Sequence, residues 1–340
     1  MLEGVEAVED DGGDAATRGV DPENPARFPG ARMLHRPAHL TILARVAGPP
    51  ARSGIRGINV GGMIDLHVHS TVSDGSDTPE EVVDLAAKAG LSALALTDHD
   101  RQDGIAQARE RAAQAGLELV PGTEISCQHA GTMHMLVYFL EPGEGPLQDE
   151  LVRLQAARDT RNQRLVARLA ELGLPVSREE LEAEAGGGGA GRPHMAAVLV
   201  RKGLATSVQD AFDRYLAKGR PAYLEKERLV PTVAIELSLQ SGALPVLAHP
   251  LSLSLAPGEM ESTVRELAGA GLAGLEAIYG RYSREERADL AVMAAHAGLA
   301  ITGGSDHHGS YKPDLSVGVG RGDLHVPDGV LTALRDRLPT

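Results

Sequence analysis

The chain has 340 residues, 42% of them hydrophobic, with a formal net charge of −14, one cysteine and no tryptophan. That length is enough for a sizeable core and one or two domains, while the acidic balance excludes generic polyanion binding, so a phosphate-bearing substrate has to be drawn by a local positive field such as bound cations. A lone Cys127 excludes an intramolecular disulfide and a cysteine-rich zinc site, and 3% aromatic residues argue against broad base-stacking platforms.

Residues 1–62 are rich in Gly, Pro, Asp and Arg and carry no lasting periodicity, so they are expected to form a disordered extension. The start, MLEGVEAVEDDGGD, lacks a basic and apolar leader, and no run of about 18 apolar residues follows. A cytoplasmic protein without membrane partners is the expectation. The organised pattern begins so abruptly at Met63 that this residue is a candidate native start.

Ile64–His69 reads as a short buried strand, and its alternation sends His67 and His69 to one face. Two imidazoles aimed together at a strand end suit a shared metal ion; alone, the pair fits a chance arrangement on a wet strand equally well. The polar loop after it can return Asp74 to the same place. Thr78-Pro79-Glu80-Glu81 is a capping box that opens a helix over Pro79–Ala89, closed by Gly90. A strand Ser92–Leu96 ends in Thr97-Asp98-His99-Asp100, a helix covers Gly104–Ala115, and Leu117–Val120 is a strand leading to Glu124. A turn at His129–Gly131 leads to a strand over Met133–Leu140. This alternation predicts a mostly parallel sheet, open or closed.

The rhythm breaks at Asp149–Leu172, one long helix with leucines 151, 154, 165, 169 and 172 on a stripe. Ser177 caps another helix, Gly186–Gly191 is a flexible loop, and helices follow over Pro193–Lys202 and Ser207–Ala217. Strands return at Ala243–Ala248, Gly274–Tyr279 and Leu299–Thr302, and a helix near Val326–Leu338 closes the chain. The division expected is a barrel domain over 63–144 and 231–340 and an all-helical insertion, or lid, over 145–230.

The strongest signal is where chemistry-bearing residues fall. His67, His69, His99, Glu124, His249, Asp306 and His308 all sit at or just after strand C-terminal ends, the edge where α/β proteins gather their active sites. With Asp74 they make eight candidate ligands, all imidazole or carboxylate, which suits Zn, Mn or Fe. One four-coordinate ion would leave half of them buried and unpaired. Two or three ions use them all, and a pair roughly 3.5–4 Å apart can clamp a phosphoryl group.

The motifs DLHVHS, TDHD, PGTEIS, AHP and GSDHH, in this order from Met63 to about Gly309, resemble those of the PHP (polymerase and histidinol phosphatase) family of metal-dependent phosphoesterases. The resemblance implies an α/β fold, a distorted (β/α)7 TIM-like barrel, and a metal-activated hydroxide that hydrolyses phosphate esters. It implies a first ion on His67, His69, Glu124 and Asp306, a second shared by Glu124 with His134 and His249, and a third on Asp74, His99 and His308. Within the helical insertion, Gly191-Arg192-Pro193-His194-Met195-Ala196 and Gly219-Arg220-Pro221-Ala222-Tyr223 resemble the insertion of members that act on nucleoside 3′,5′-bisphosphates or trim short 5′-phosphorylated RNA. The substrate expected is therefore a nucleotide or short oligonucleotide, with no stable nucleic-acid complex. The alternatives are a small-metabolite phosphatase, such as histidinol phosphatase, and a non-catalytic metal-stabilised binding domain.

His194 and Arg192 are candidates for protonating the leaving oxygen and holding phosphate, with surface packing as the competing reading. Arg220 and His307 are weaker substrate-binding candidates. Asp98 either orients an imidazole through its second nitrogen or caps a helix entry. Arg153, Arg161, Arg164 and Arg168 share a wedge of the long helix that suits either a nucleic-acid backbone or a solvated face. The glycine loop is no Walker motif, because no Gly-Lys-Ser/Thr follows; it reads as a hinge or a linker. His35, His39, His129, His296 and His325 are expected on the surface.

Overall fold

Buried strands flanked by capped helices wind round into a barrel that lacks little of full closure. A computed structural model describes residues 62–186 and 189–338. Apart from Gly62, the expected disordered extension lies outside the described residues, as do His35, His39 and two positions of the glycine loop.

The first part comprises β1 (Met63–Val68), α1 (Pro79–Lys88), β2 (Leu91–Leu96), α2 (Ile105–Ala115), β3 (Glu118–Cys127) and β4 (Met133–Tyr138). Then come α3 (Pro146–Glu171), α4 (Arg178–Glu184), α5 (Arg192–Arg201) and α6 (Val208–Ala211), which runs into a π-helical turn at Phe212–Leu216. The chain returns with α7 (Pro231–Gln240), β5 (Leu244–Leu247), α8 (Pro257–Gly269), β6 (Gly274–Tyr279), α9 (Arg284–His296), β7 (Ala300–Gly304) and α10 (Gly329–Arg335). The expected capping boxes form: Thr78 with Glu81 opens α1, and Ser177 with Glu180 opens α4.

The seven strands lie in chain order. All paired neighbours are parallel except β3–β4 and β4–β5. The sheet nearly closes because Asp306 N–H donates to His67 O at 2.8 Å and His69 N–H to His307 O at 3.0 Å. The distorted seven-stranded barrel is the observed architecture. Strand β3 outruns its expected end at Val120. It leaves β2 at Pro121 and pairs with β4 from Gly122 onward, so the Pro-Gly pair marks a change of partner, not a stop.

Helix α3 joins two cores. Leu151 and Leu154 pack into the cluster that includes Ile125, Met135 and Ile235, whereas Leu165 and Leu169 pack with Leu181, Met195 and Leu199 among the helices. Leu172, expected on the same stripe, is an exposed C-cap. Between the two cores, α3 buries Arg158, Arg161 and Asn162. The four-arginine wedge does not act as a unit. Arg153 pairs with Glu150 and Glu227 and Arg168 with Glu171, Arg164 is exposed, and Arg161 is buried.

One buried carboxylate holds the seam between the first and last strands. Asp65 accepts from the backbone N–H of His67 (3.2 Å), Ser305 (2.9 Å) and Gly318 (2.8 Å). Gly304 passes so close that a Cβ there would meet His67 N at 2.5 Å and Asp65 Oδ1 at 2.9 Å. Asp65→Ala leaves three donors without an acceptor, at about 1–3 kcal/mol each. Urea unfolding of the chelated protein is expected to register a loss of at least about 3 kcal/mol; a change below about 1 kcal/mol would contradict the seam's dependence on this carboxylate.

Candidate metal centre

Each functional side chain reaches the centre for a local reason. Strand β1 delivers His67 and His69 by alternation, both fully buried. Residues 98–100 are drawn across to β3, with Asp100 N–H donating to Glu124 O (3.0 Å) and Glu124 N–H to Asp98 O (3.2 Å), which brings His99 beside Glu124. The reversed strand β4 contributes from its N-terminal end, since antiparallel pairing sets His134 opposite Ser126 at the same rim. His249 and Asp306 follow β5 and β7 with φ of 26° and 57°. For non-glycine residues this left-handed backbone costs about 1–3 kcal/mol each, a strain typical of functional positions.

All nine expected metal residues converge. Glu124 Oε2 lies 3.3 Å from His67 Nε2, 3.1 Å from His69 Nε2 and 3.3 Å from His99 Nδ1. Its Oε1 lies 2.8 Å from His134 Nδ1 and 3.0 Å from His249 Nε2. Asp306 Oδ1 stands 3.5 and 3.4 Å from the Nε2 atoms of His67 and His69. Asp74 stands 3.3 Å from His308 Nε2 and 3.8 Å from His99 Nε2. Three donor groups result: His67, His69, Glu124 and Asp306; His99, Glu124 and His134; and His69, Asp74, His99 and His308. His249 extends the second through Glu124.

The donor chemistry fits cations. Burial works to raise the carboxyls of Asp74, Glu124 and Asp306, yet nearby cationic groups hold all three well below the usual range: imidazoles for the first two, Lys312 and then imidazoles for Asp306. Burial likewise opposes charge on His67 and His69. Carboxylates override it: Glu276, Glu124 and Asp306 push His67 well above its usual value, and Asp306 and Glu124 push His69 up to about 9. His99, His134 and His308 shift the other way, chiefly through burial. The pocket thus demands positive charge at one point, between the rings of β1, where metal binding would displace protons. The Nε2 atoms of those rings lie 3.1 Å apart.

Outer contacts fix which nitrogen faces inward. Glu276, on β6, accepts from His67 Nδ1 at 2.9 Å and from the His249 backbone N–H at 2.7 Å. His308 Nδ1 donates to Asp306 O at 2.9 Å, leaving Nε2 for Asp74. Asp306 Oδ2 accepts from Tyr279 and Lys312. Asp65, Glu276, Tyr279 and Lys312 escaped the sequence reading, although a carboxylate inside the apolar run Gly274–Tyr279 is a signal.

Other candidates sit elsewhere. Asp98 neither touches an imidazole nor caps a helix; it accepts from Ser70 N–H (2.8 Å), Ser70 Oγ (2.7 Å) and Ser73 Oγ (2.6 Å), fixing the turn that carries Asp74. His307, for which substrate contact is the weaker of two expectations, has Nδ1 on Leu315 O (2.9 Å) and Nε2 on Asp77 (2.8 Å). His194 Nδ1 accepts from Gly191 N–H at the start of α5, its ring edge-on to Tyr311 and its basicity lowered by burial. Arg192 lies over Phe212 and Tyr223. Arg220 is exposed and does not line the cavity beside the centre. His296 and His325 are exposed as expected, and His129 is half-buried.

That cavity, about 250 Å³, is bounded by Asp74, His99 and His134 on one side and by Arg158, Arg161, Arg192, Lys226 and Arg228 on the other. Asp100, itself at φ 55°, docks this cationic wall, binding Arg158 at 2.6 Å and Lys226 at 2.8 Å.

A seven-stranded barrel with an imidazole–carboxylate cluster at one rim is the arrangement of a metal-dependent phosphoesterase. The model of the PHP domain matches residues 65–225. The 5′-3′ exoribonuclease Rnm of Escherichia coli is 35% identical over 269 residues, covering 78% of this chain and 90% of that one. The 3′,5′-nucleoside bisphosphate phosphatase of Chromobacterium violaceum is 30% identical over 265 residues, covering 75% and 90%. A solved structure from Bifidobacterium adolescentis, assigned as a metal-dependent phosphoesterase, superposes with a TM-score of 0.72 at 29% identity, covering 82% of this chain and 96% of that one. The chain belongs to the PHP family and is a hydrolase of phosphoric esters.

Although burial opposes it, Lys226 and Arg158 hold the Asp100 carboxyl far below its usual range. A carboxyl depressed by folding adds stability that is fully present above its unfolded pKa of about 3.9 and is lost progressively as pH falls from there toward the depressed folded-state value. Asp100→Asn is expected to cost about 3–5 kcal/mol at pH 7, and the gap to the parent protein is expected to begin narrowing below about pH 4 and to go on shrinking as the pH falls further. Melting midpoints across pH check this; a gap that stays constant as the pH falls below about 4 would contradict it.

Proposed function

We propose that the enzyme hydrolyses a phosphate ester of a nucleotide that carries a second phosphate, either a nucleoside 3′,5′-bisphosphate or a short 5′-phosphorylated RNA. The observation that carries this reading is the cationic wall beside the metal centre. Arg158 and Lys226 share one carboxylate, while Arg161 and Arg192 have no carboxylate partner among the described residues. Arg161 is only 8% exposed, and its Nε has no hydrogen-bond partner among the described residues. Burial and the neighbouring Arg158 and Arg192 lower its pKa to about 10. Crowded, desolvated guanidinium groups favour a dianionic ligand, and a planar fork suits phosphate oxygens. A single-phosphate metabolite such as histidinol phosphate would leave that wall unused. The Escherichia coli exoribonuclease and the Chromobacterium violaceum bisphosphate phosphatase, to which the chain is similar, agree with a nucleotide.

In this reading the nine donors hold two or three divalent ions, manganese, zinc or iron, which supply charge neutralisation at the phosphoryl oxygens and acidify water. Arg161, with Arg158 and Arg192, holds the remote phosphate and so sets the scissile one at the centre. His194, neutral and with its Nδ1 accepting from Gly191 N–H, carries its proton on Nε2 and offers it as a hydrogen bond that stabilises charge on the leaving oxygen, while water at the centre supplies the proton that oxygen takes up. Residues 145–230 act as an inserted lid over a barrel made by 63–144 and 231–340. The enzyme works in the cytoplasm, in keeping with its one buried thiol; among the described residues no helix is long and apolar enough to cross a membrane.

Phosphate release from adenosine 3′,5′-bisphosphate, histidinol phosphate and p-nitrophenyl phosphate, and mononucleotide release from a 5′-phosphorylated dinucleotide, test the reading. Two-phosphate substrates are expected to be preferred; equal turnover of all four, or none with manganese or zinc present, would contradict it. Arg161→Met is expected to lower kcat/KM for the bisphosphate about tenfold to a hundredfold while leaving p-nitrophenyl phosphate unaffected. His194→Ala is expected to slow turnover about a hundredfold without changing metal content; loss of metal would make it a ligand instead.

A further inference from the structure

Asp306 is held differently on its two oxygens. Oδ1 faces His67, His69 and His308 at 3.4–3.5 Å. Oδ2 accepts from Tyr279 Oη at 2.7 Å and from Lys312 Nζ at 2.7 Å. Among the described residues, Lys312 has no other acidic partner. Both donors line a second cavity, about 400 Å³, on another side of the centre, together with His99, Glu124, His249 and Arg281.

A carboxylate pinned by two donors on one oxygen cannot swing that oxygen round to chelate an ion. Such an ion then keeps a coordination position open, as catalytic sites require. The two donors differ in charge. Tyrosine is neutral and only orients. Lysine orients too, but its ammonium shares one carboxylate with the ion and repels it, an effect that partial burial strengthens.

Resting on the function proposed above, we infer that Lys312 is a positioning residue that, with Tyr279, confines Asp306 to one-oxygen ligation and weakens the hold of His67, His69, Glu124 and Asp306 on their ion. Tight ion binding is given up for an open coordination position and for positive charge beside the phosphoryl group. The two side chains make the same hydrogen bond at the same distance, so a purely structural role predicts the same consequence for losing either. The charge argument predicts opposite ones.

The test titrates chelator-treated protein with manganese by calorimetry, alongside steady-state phosphate release from the bisphosphate. Tyr279→Phe is expected to weaken manganese binding about tenfold. Lys312→Met is expected to tighten it while lowering kcat about tenfold, with a smaller change in KM. Lys312→Arg is expected to restore both values toward the parent's. Lys312→Gln takes the place of the methionine variant if circular dichroism finds that one unfolded without metal. Weaker manganese binding in the lysine variant, or unchanged binding and unchanged kcat, would overturn the inference. Failure of the parent protein itself to bind manganese or release phosphate would instead sink the proposed function.

Discussion

Glu124 is the constraint on which the rest depends. Its carboxylate is 1% exposed and faces five imidazoles from β1, β4 and the segments after β2 and β5. Taking a carboxylate out of water is costly unless positive charge meets it there. In the protein alone that demand falls on protons at His67 and His69, whose rings the surrounding carboxylates push up against burial, whereas His99 and His134 are pushed down chiefly by burial. A divalent cation meets the same demand with fewer particles and more directed geometry. The barrel can be read as the scaffold that makes this arrangement affordable: Asp65 seals the seam, Glu276 turns His67, and Asp98 fixes the turn bearing Asp74.

The antiparallel strand is the topological device that completes the centre. A barrel of uniformly parallel strands presents only C-terminal ends at the functional rim. Reversing β4 brings an N-terminal end there, so that one tight hairpin places Glu124 and His134 2.8 Å apart. The strained backbones of His249 and Asp306 are the local cost of the same convergence, which the surrounding hydrogen bonds enforce. Helix α3 then links chemistry to recognition, since it is anchored in a core at each end and carries Arg158 and Arg161 between them.

Much of this was legible in the chain because imidazoles at strand ends violate the apolar pattern that buried strands otherwise keep. Capping boxes gave the starts of α1 and α4, and the left-handed Gly90 gave the end of α1 within a residue. What stayed hidden depends on pairing across large sequence distances. Nothing local tells that Pro121 is where β3 changes partner, that Asp98 serves a serine turn, or that Lys312 reaches Asp306. Helical spacing picked Arg161 but grouped it with arginines that face acidic neighbours, and it passed over Arg158, because a wedge on one helix says nothing about what packs against it.

The central claim is that side chains from six separate segments form one cation-binding centre sharing Glu124. Anomalous scattering from crystals grown with manganese or zinc tests it most directly. The account predicts at least two strong peaks, one among His67, His69, Glu124 and Asp306 and another between Glu124 and the imidazoles of His134 and His249. Peaks confined to surface carboxylates, with the cluster around Glu124 empty, would contradict it.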